Sequence, residues 1–315
     1  MVKDRKRVLI AYDGSTYADA VLEDLPVAGL PREADALIVT VSDGLLSAGT
    51  PMAEVAAVGM TPRRVTSAIV AAKDQALRLY AEAKGFATKA SRRVRSHFED
   101  WNVSMKILEG SPSQKLLQEA DRWKPDLIVV GSHGHSAFKR FILGSVSNKL
   151  ASQSRSSVRV VRRIAAKDRQ QPHRIMIAVD GSPGAKRTVE AVGRRVWTEG
   201  TLVKIVVVNG VAPRMIRDIF SSAAEIQKRD KEANAKARAM AEWAAEQLDA
   251  IGLQVSVVVL QGEPEGGVIV EAEKWKADSI FVSAHISDHL SEQGGLGGLS
   301  AALVNNALCT VEVVR

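Results

Sequence analysis

Short, β-branched apolar runs alternate with longer stretches in which apolar residues return every three or four positions. Val8–Tyr12, Ala36–Val41, Val103–Leu108, Leu127–Val130 and Val158–Val161 have the pattern of strands covered on both faces. Between them, Ser15 is placed to cap a helix reaching about Gly29, and Ser111-Pro112 opens another with proline in its first turn. Val65, Ile69, Ala72, Ala76, Tyr80, Ala83 and Ala87 lay one apolar stripe along a helix over 63–99. The same alternation follows in the second half. Its long helix is expected near 215–250, marked by Ile219, Ala223, Ala233, Ala237, Met240, Ala244 and Leu248.

The pattern repeats because the residues repeat. Arg7-Val8-Leu9-Ile10-Ala11-Tyr12-Asp13-Gly14-Ser15 returns as Arg174-Ile175-Met176-Ile177-Ala178-Val179-Asp180-Gly181-Ser182. Leu108-Glu109-Gly110-Ser111-Pro112 returns as Leu260-Gln261-Gly262-Glu263-Pro264, and Trp123–Val130 as Trp275–Val282. Each half ends alike, in Val158-Arg159-Val160-Val161-Arg162 and Val311-Glu312-Val313-Val314-Arg315. Matches in one order mean a duplicated unit. The expected division is a domain over 1–163, a polar linker over 164–172 and a domain over 173–315. Alternating β and α predicts the α/β class: two tandem, doubly wound parallel-sheet domains of five strands each, with ligands outside the carboxyl ends of the strands.

Composition sharpens this picture in three places. The chain of 315 residues is 46% hydrophobic and 25% charged, ordinary for a globular protein. No run approaches the roughly 18 apolar residues of a membrane span, no secretory leader is visible, and the lone Cys309 fits a reducing compartment. A cytoplasmic protein without membrane contact is expected. The net charge of +7 is unevenly spread: residues 1–162 hold 24 Lys and Arg against 17 Asp and Glu, the remainder 19 of each. The excess is scattered and poor in aromatics, so no nucleic-acid partner is expected. Lys139 and Arg140 are placed to favour a smaller polyanion.

Candidate chemistry gathers at the predicted carboxyl ends of the first-half strands. Asp13 follows the first strand and Val41 ends the second. After the fourth come Gly131-Ser132-His133-Gly134 and, nine residues later, Gly144-Ser145. Glycines let main-chain N–H groups approach phosphate oxygens closely. Gly144-Ser145 opens a predicted helix over Val146–Ser152, whose unpaired N–H groups suit an anion. A carboxylate such as Asp13 accepts from ribose hydroxyls or a base amino group.

Gly131-x2-Gly134-x9-Gly144-Ser145, with the phrase Val130-Gly131-Ser132-His133-Gly134, resembles the nucleotide motif of ATP-binding universal stress proteins. The resemblance covers the whole chain as two tandem domains of the adenine-nucleotide α-hydrolase-like type. It implies that Asp13 and the Val41 backbone hold adenosine, and that Gly131, Ser132, His133 and Gly134 line the ribose and phosphates. Gly144, Ser145 and Val146 would hold the phosphates of ATP, with Mg²⁺ as a companion ion. It also implies pairing of Val158–Val161 with Val311–Val314, an internal pseudo-dimer, and leaves room for a further homodimer.

The second half departs from the motif. Asp180 remains, but Ser283 replaces Gly131, Ile286 replaces Gly134, and Gly294–Ser300 stands for Gly144-Ser145 with one residue inserted. A β-branched Ile at a phosphate-approach position predicts one competent site per chain. His133 and His135, with His285 and His289, have permissible zinc spacings, but no cysteine or carboxylate cluster joins them, and they read as solvent-exposed loop residues without a metal. No P-loop, catalytic triad or evident general base appears. A stress-response regulator with at most slow ATP hydrolysis is the leading reading. A genuine ATPase or phosphotransferase, and a nucleotide-independent scaffold or carrier of another ligand, are the alternatives.

Overall fold

The structure, a computed structural model, describes residues 5–42, 62–133, 143–162, 172–179, 182–208, 223–260, 264–284 and 295–315. The first half runs β1 (Lys6–Ala11), α1 (Thr16–Asp24), β2 (Ala34–Ser42), α2 (Pro62–His97), β3 (Asn102–Glu109), α3 (Pro112–Trp123), β4 (Leu127–Gly131), α4 (Ser145–Gln153) and β5 (Ser157–Val161). The second repeats it with β6 (Arg174–Val179), α5 (Pro183–Gly193), β7 (Leu202–Val208), α6 (Ala223–Asp249), β8 (Gln254–Leu260), α7 (Pro264–Trp275), β9 (Ser279–Ser283), α8 (Gly298–Asn306) and β10 (Thr310–Val314).

The ten strands form a single sheet in the order β3-β2-β1-β4-β5-β10-β9-β6-β7-β8. Within each half every pairing is parallel, as β1 with β2 and β4 shows. The crossovers return on alternate faces, which is the doubly wound arrangement. At the middle, β5 and β10 pair antiparallel, with Val160 opposite Val311, Arg159 opposite Glu312 and Val158 opposite Val313. The strand-five contact expected between the halves is this junction.

Alternation along each strand divides the core between two faces. Leu9, Leu37, Leu116, Ile128, Leu150, Met176, Val268 and Leu303 share one apolar layer that crosses the junction without a break. Val8, Ile10, Val21, Leu22 and Val94 lie in a layer of the first half on the opposite side, and Ile175, Ile177, Val189 and Leu248 in its counterpart.

Local chemistry explains the ends of the elements. The Ser15 hydroxyl accepts from the Ala18 N–H at 3.1 Å, as the cap of α1. That helix stops at Asp24 rather than near Gly29, because Pro26 begins a 3₁₀ turn over Leu25–Val27. The helix expected over 63–99 spans Pro62–His97. The one expected near 215–250 is seen from Ala223 to Asp249, and residues 209–222 lie outside the described residues.

Candidate functional site

The carboxyl ends of β1, β2 and β4 meet the start of α4 around a cleft of about 150 Å³. Asp13, Val41, Gly131, His133, Gly144, Ser145 and Val146 all line it. Ser132 stands just behind, and Gly134 lies outside the described residues, as do Lys139, Arg140, His135, Asp180, Ile286 and the other loop histidines. The inner wall is apolar, formed by Ala11, Val39, Leu116 and Val130. Tyr12, Pro112 and Ser147 complete it; spacing had not singled them out, although each adjoins an element end that it had.

Each polar group is held by its neighbours. Asp13 Oδ1 accepts from the Ser15 N–H at 3.0 Å, which fixes the carboxylate at the mouth of α1. The Tyr12 hydroxyl donates to Asp19 at 2.6 Å, and Lys89 closes the cluster on the same carboxylate at 2.9 Å. Burial, followed by the Asp19 contact, pushes the Tyr12 phenol up to about 12. The loop after β4 is laced to its surroundings through main chain: Ser132 N–H donates to Val161 O at 2.8 Å, and Ser132 O accepts from Gly144 N–H at 2.8 Å and from the Ser147 hydroxyl at 3.0 Å.

His133 is not the solvent-exposed residue expected from its loop position. It is only 8% exposed, and its ring lies 4.9 Å from that of Tyr17 on α1. Nδ1 sits 3.1 Å from the Ser132 hydroxyl, while the buried Nε2 has no partner among the described residues. Burial, reinforced by the Arg162 charge, lowers its pKa and favours the neutral ring. Opposite it, α4 starts at Gly144 with no side-chain cap. An uncapped N-terminus leaves main-chain N–H groups for an acceptor, so the start of α4 offers donors to an anion in the cleft.

The glycines owe their identity to packing within the protein. A Cβ on Gly131 would fall 2.8 Å from the Tyr17 carbonyl oxygen, and one on Gly144 would fall 3.1 Å from Ser132 O. Backbone segments that close leave no room for a methyl group. The second half solves the first contact in reverse. Ser283 takes the place of Gly131 and Gly184 the place of Tyr17, where a Cβ would lie 2.8 Å from Ser283 Cβ.

The start of α8 also differs from that of α4. Gly298 stands where Ser145 stands in the first half, and a Cβ there would be 2.7 Å from Glu265 Oε1. Glu265 occupies the position of Ser113, directly after the proline that opens the preceding helix. A carboxylate therefore sits beside the N-terminus of α8, in the half whose glycine motif has decayed.

A family model described as the universal stress protein family matches residues 4–162 and again 172–315. A universal stress protein of Methanocaldococcus jannaschii is 32% identical over 77 residues, covering 24% of this chain and 45% of that protein. The stress response protein NhaX of Bacillus subtilis is 24% identical over 163 residues, or 50% of this chain and 97% of that one. Among solved structures, a universal stress protein from Archaeoglobus fulgidus aligns over 98% of this chain and 96% of its own, with a TM-score of 0.63 and 19% identity. That likeness extends the shared fold across both halves.

Proposed function

This chain belongs to the universal stress protein family, and from that premise we propose that it is an ATP-binding stress-response regulator with one nucleotide site, in its first half. The observation that carries the reading is the convergence of Asp13, Val41, Gly131, His133, Gly144, Ser145 and Val146 on one cleft. The apolar inner wall suits a purine, and the Val41 main chain borders the adenine edge. Asp13 brings a carboxylate to the edge of the cleft, the kind of acceptor that ribose hydroxyls take. The phosphates meet the open N-terminus of α4 with the Ser145 hydroxyl beside it, an arrangement favoured by the helix dipole. Mg²⁺ would accompany the phosphates as their counter-ion.

The function is regulatory: nucleotide occupancy biases shape or partner choice, with slow hydrolysis as the upper bound on turnover. In this reading Asp13 and His133 serve in binding. The domains are taken as 1–163 and 173–315 with 164–172 between them, and the protein as cytoplasmic, with the internal pseudo-dimer as its unit and a homodimer as its further assembly. Among the described residues no helix is long and apolar enough to cross a membrane.

Extraction of ligand from the purified full chain, followed by mass spectrometry and titration calorimetry with ATP, tests the proposal. The expected result is one ATP per chain. Gly134→Ile, which copies the natural Ile286, should abolish that binding and leave the melting temperature unchanged. ATP affinity unaltered by this substitution, or two equivalents bound, overturns the assignment.

A further inference from the structure

The antiparallel junction carries unlike charges at positions that duplication made equivalent. Arg159 of β5 and Glu312 of β10 are the same position in the two halves, and they face each other across the pseudo-two-fold axis. Arg159 is fully buried; it holds Asp24 of α1 at 2.6 and 2.9 Å and Glu312 at 3.2 Å. Arg195, just after α5, binds the other oxygen of Glu312 and donates to Ala28 O at 2.6 Å. Phe281 lies under both guanidinium groups, 5.8 Å from Arg159 and 4.9 Å from Arg195. This ionic cluster occupies the face where the apolar layers of the two halves stop short of each other.

Its members are distributed one-sidedly. Counting from the aligned Asp13 and Asp180, Asp24 corresponds to Ala191 and Arg195 to Ala28. Two first halves joined in the observed register would bury Arg159 against Arg159 without Glu312. Two second halves would bury Glu312 against Glu312. Either like pair loses the cross-strand ion pair and sets two buried charges of one sign directly opposite each other, each keeping only the partner from its own half, Asp24 for Arg159 and Arg195 for Glu312. The continuous apolar layer on the other face offers no such discrimination, because hydrophobic burial is non-directional.

We infer that Arg159 and Glu312, flanked by Asp24 and Arg195, are a recognition code that makes each half the partner of the unlike half and excludes association of like halves. The partner that fits β5 is β10, from the same chain or, by exchange, from a second copy. A plain stabilising role would be filled as well by apolar residues, which commonly match or better a buried ion pair; a recognition role would not.

The test uses the full chain. Arg159→Glu and Glu312→Arg should each lower the melting temperature and speed amide exchange in β5 and β10. Combining them should recover part of the loss, since the cross-strand pair is rebuilt while Asp24 and Arg195 still face like charges. A double variant as impaired as the two single effects added together overturns the proposal. A second measurement separates recognition from folding. With a protease site placed within 164–172, the cleaved wild type should give only unlike pairs by native mass spectrometry after mixing with an isotope-labelled copy. The cleaved Arg159→Met/Glu312→Leu variant should give like pairs beside the unlike ones. Like pairs in the wild type, or none in the apolar variant, count against the code.

Discussion

The imidazole of His133 shows how much one side chain can report about a site. Its ring is enclosed by Tyr17 and the Ser132 hydroxyl, with Arg162 close enough to oppose a second positive charge. A histidine whose folded pKa lies below its ordinary value of 6.5 adds stability above that value and loses it as pH falls through the interval below. The full chain should therefore weaken on acidification from pH 7 to 5 more than a His133→Gln variant does, by chemical denaturation at each pH. Parallel curves for the two proteins would show that the ring titrates freely. From sequence, His133-Gly134-His135 looks like an exposed loop, because nothing in three residues reveals that Tyr17 of α1 packs against His133. The same is true of Gly131, whose missing Cβ is explained by a carbonyl at position 17. For this glycine spacing suggests close approach to a phosphate, whereas the structure supplies close approach of the Tyr17 main chain. Arg159, lying between Val158 and Val160, was legible as a strand residue, but not as a wholly buried cation.

At the scale of elements, the informative comparison is between α4 and α8. Both begin on a glycine cap without a side-chain hydrogen bond, after the fourth strand of their own half. They differ in what stands before them: Ser113 in the first turn of α3, Glu265 in the first turn of α7. A carboxylate beside a helix N-terminus satisfies the dipole and competes with any other anion. Transplanting it should close the site that remains open. Ser113→Glu combined with Ser145→Gly is expected to weaken ATP binding at least tenfold, by calorimetry, with the far-ultraviolet spectrum and melting temperature nearly unchanged. Undiminished affinity would mean that the phosphates lie elsewhere. The order of elements was readable along the chain because apolar periodicity switches cleanly between strands and helices. Helix ends were less so: Pro26 ends α1 early through backbone geometry that periodicity does not carry.

For the molecule as a whole, the last residue of each half reaches into the other. Arg162 donates to Val304 O at 2.7 Å and Asn305 O at 3.0 Å, closing the carboxyl end of α8. Arg315 donates to Ala151 O at 2.5 Å and Ser156 O at 3.3 Å, closing the end of α4. A cation at a helix C-terminus satisfies leftover carbonyls and the dipole together. Replacing either arginine by alanine should cost about 1–3 kcal/mol, the usual range for buried acceptors left unpaired. Reversible denaturation measures it, and Arg315→Ala should leave ATP affinity intact. The repeated Val-x-Val-Val-Arg endings announce a duplicated strand and give no sign of this exchange, which depends on how the two halves pack against each other.

The antiparallel seam between β5 and β10 also decides which way each half faces. In one half the strands point toward one margin of the sheet; in the other they point toward the opposite margin. The cleft opens at one margin alone, beside the turns that begin the second-half strands, while the glycine-rich segment of the second half belongs to the far margin. The protein thus has a head and a tail despite its internal symmetry. The surface at the head joins the cleft of one half to the backbone turns of the other, whereas the surface at the tail does not include that cleft.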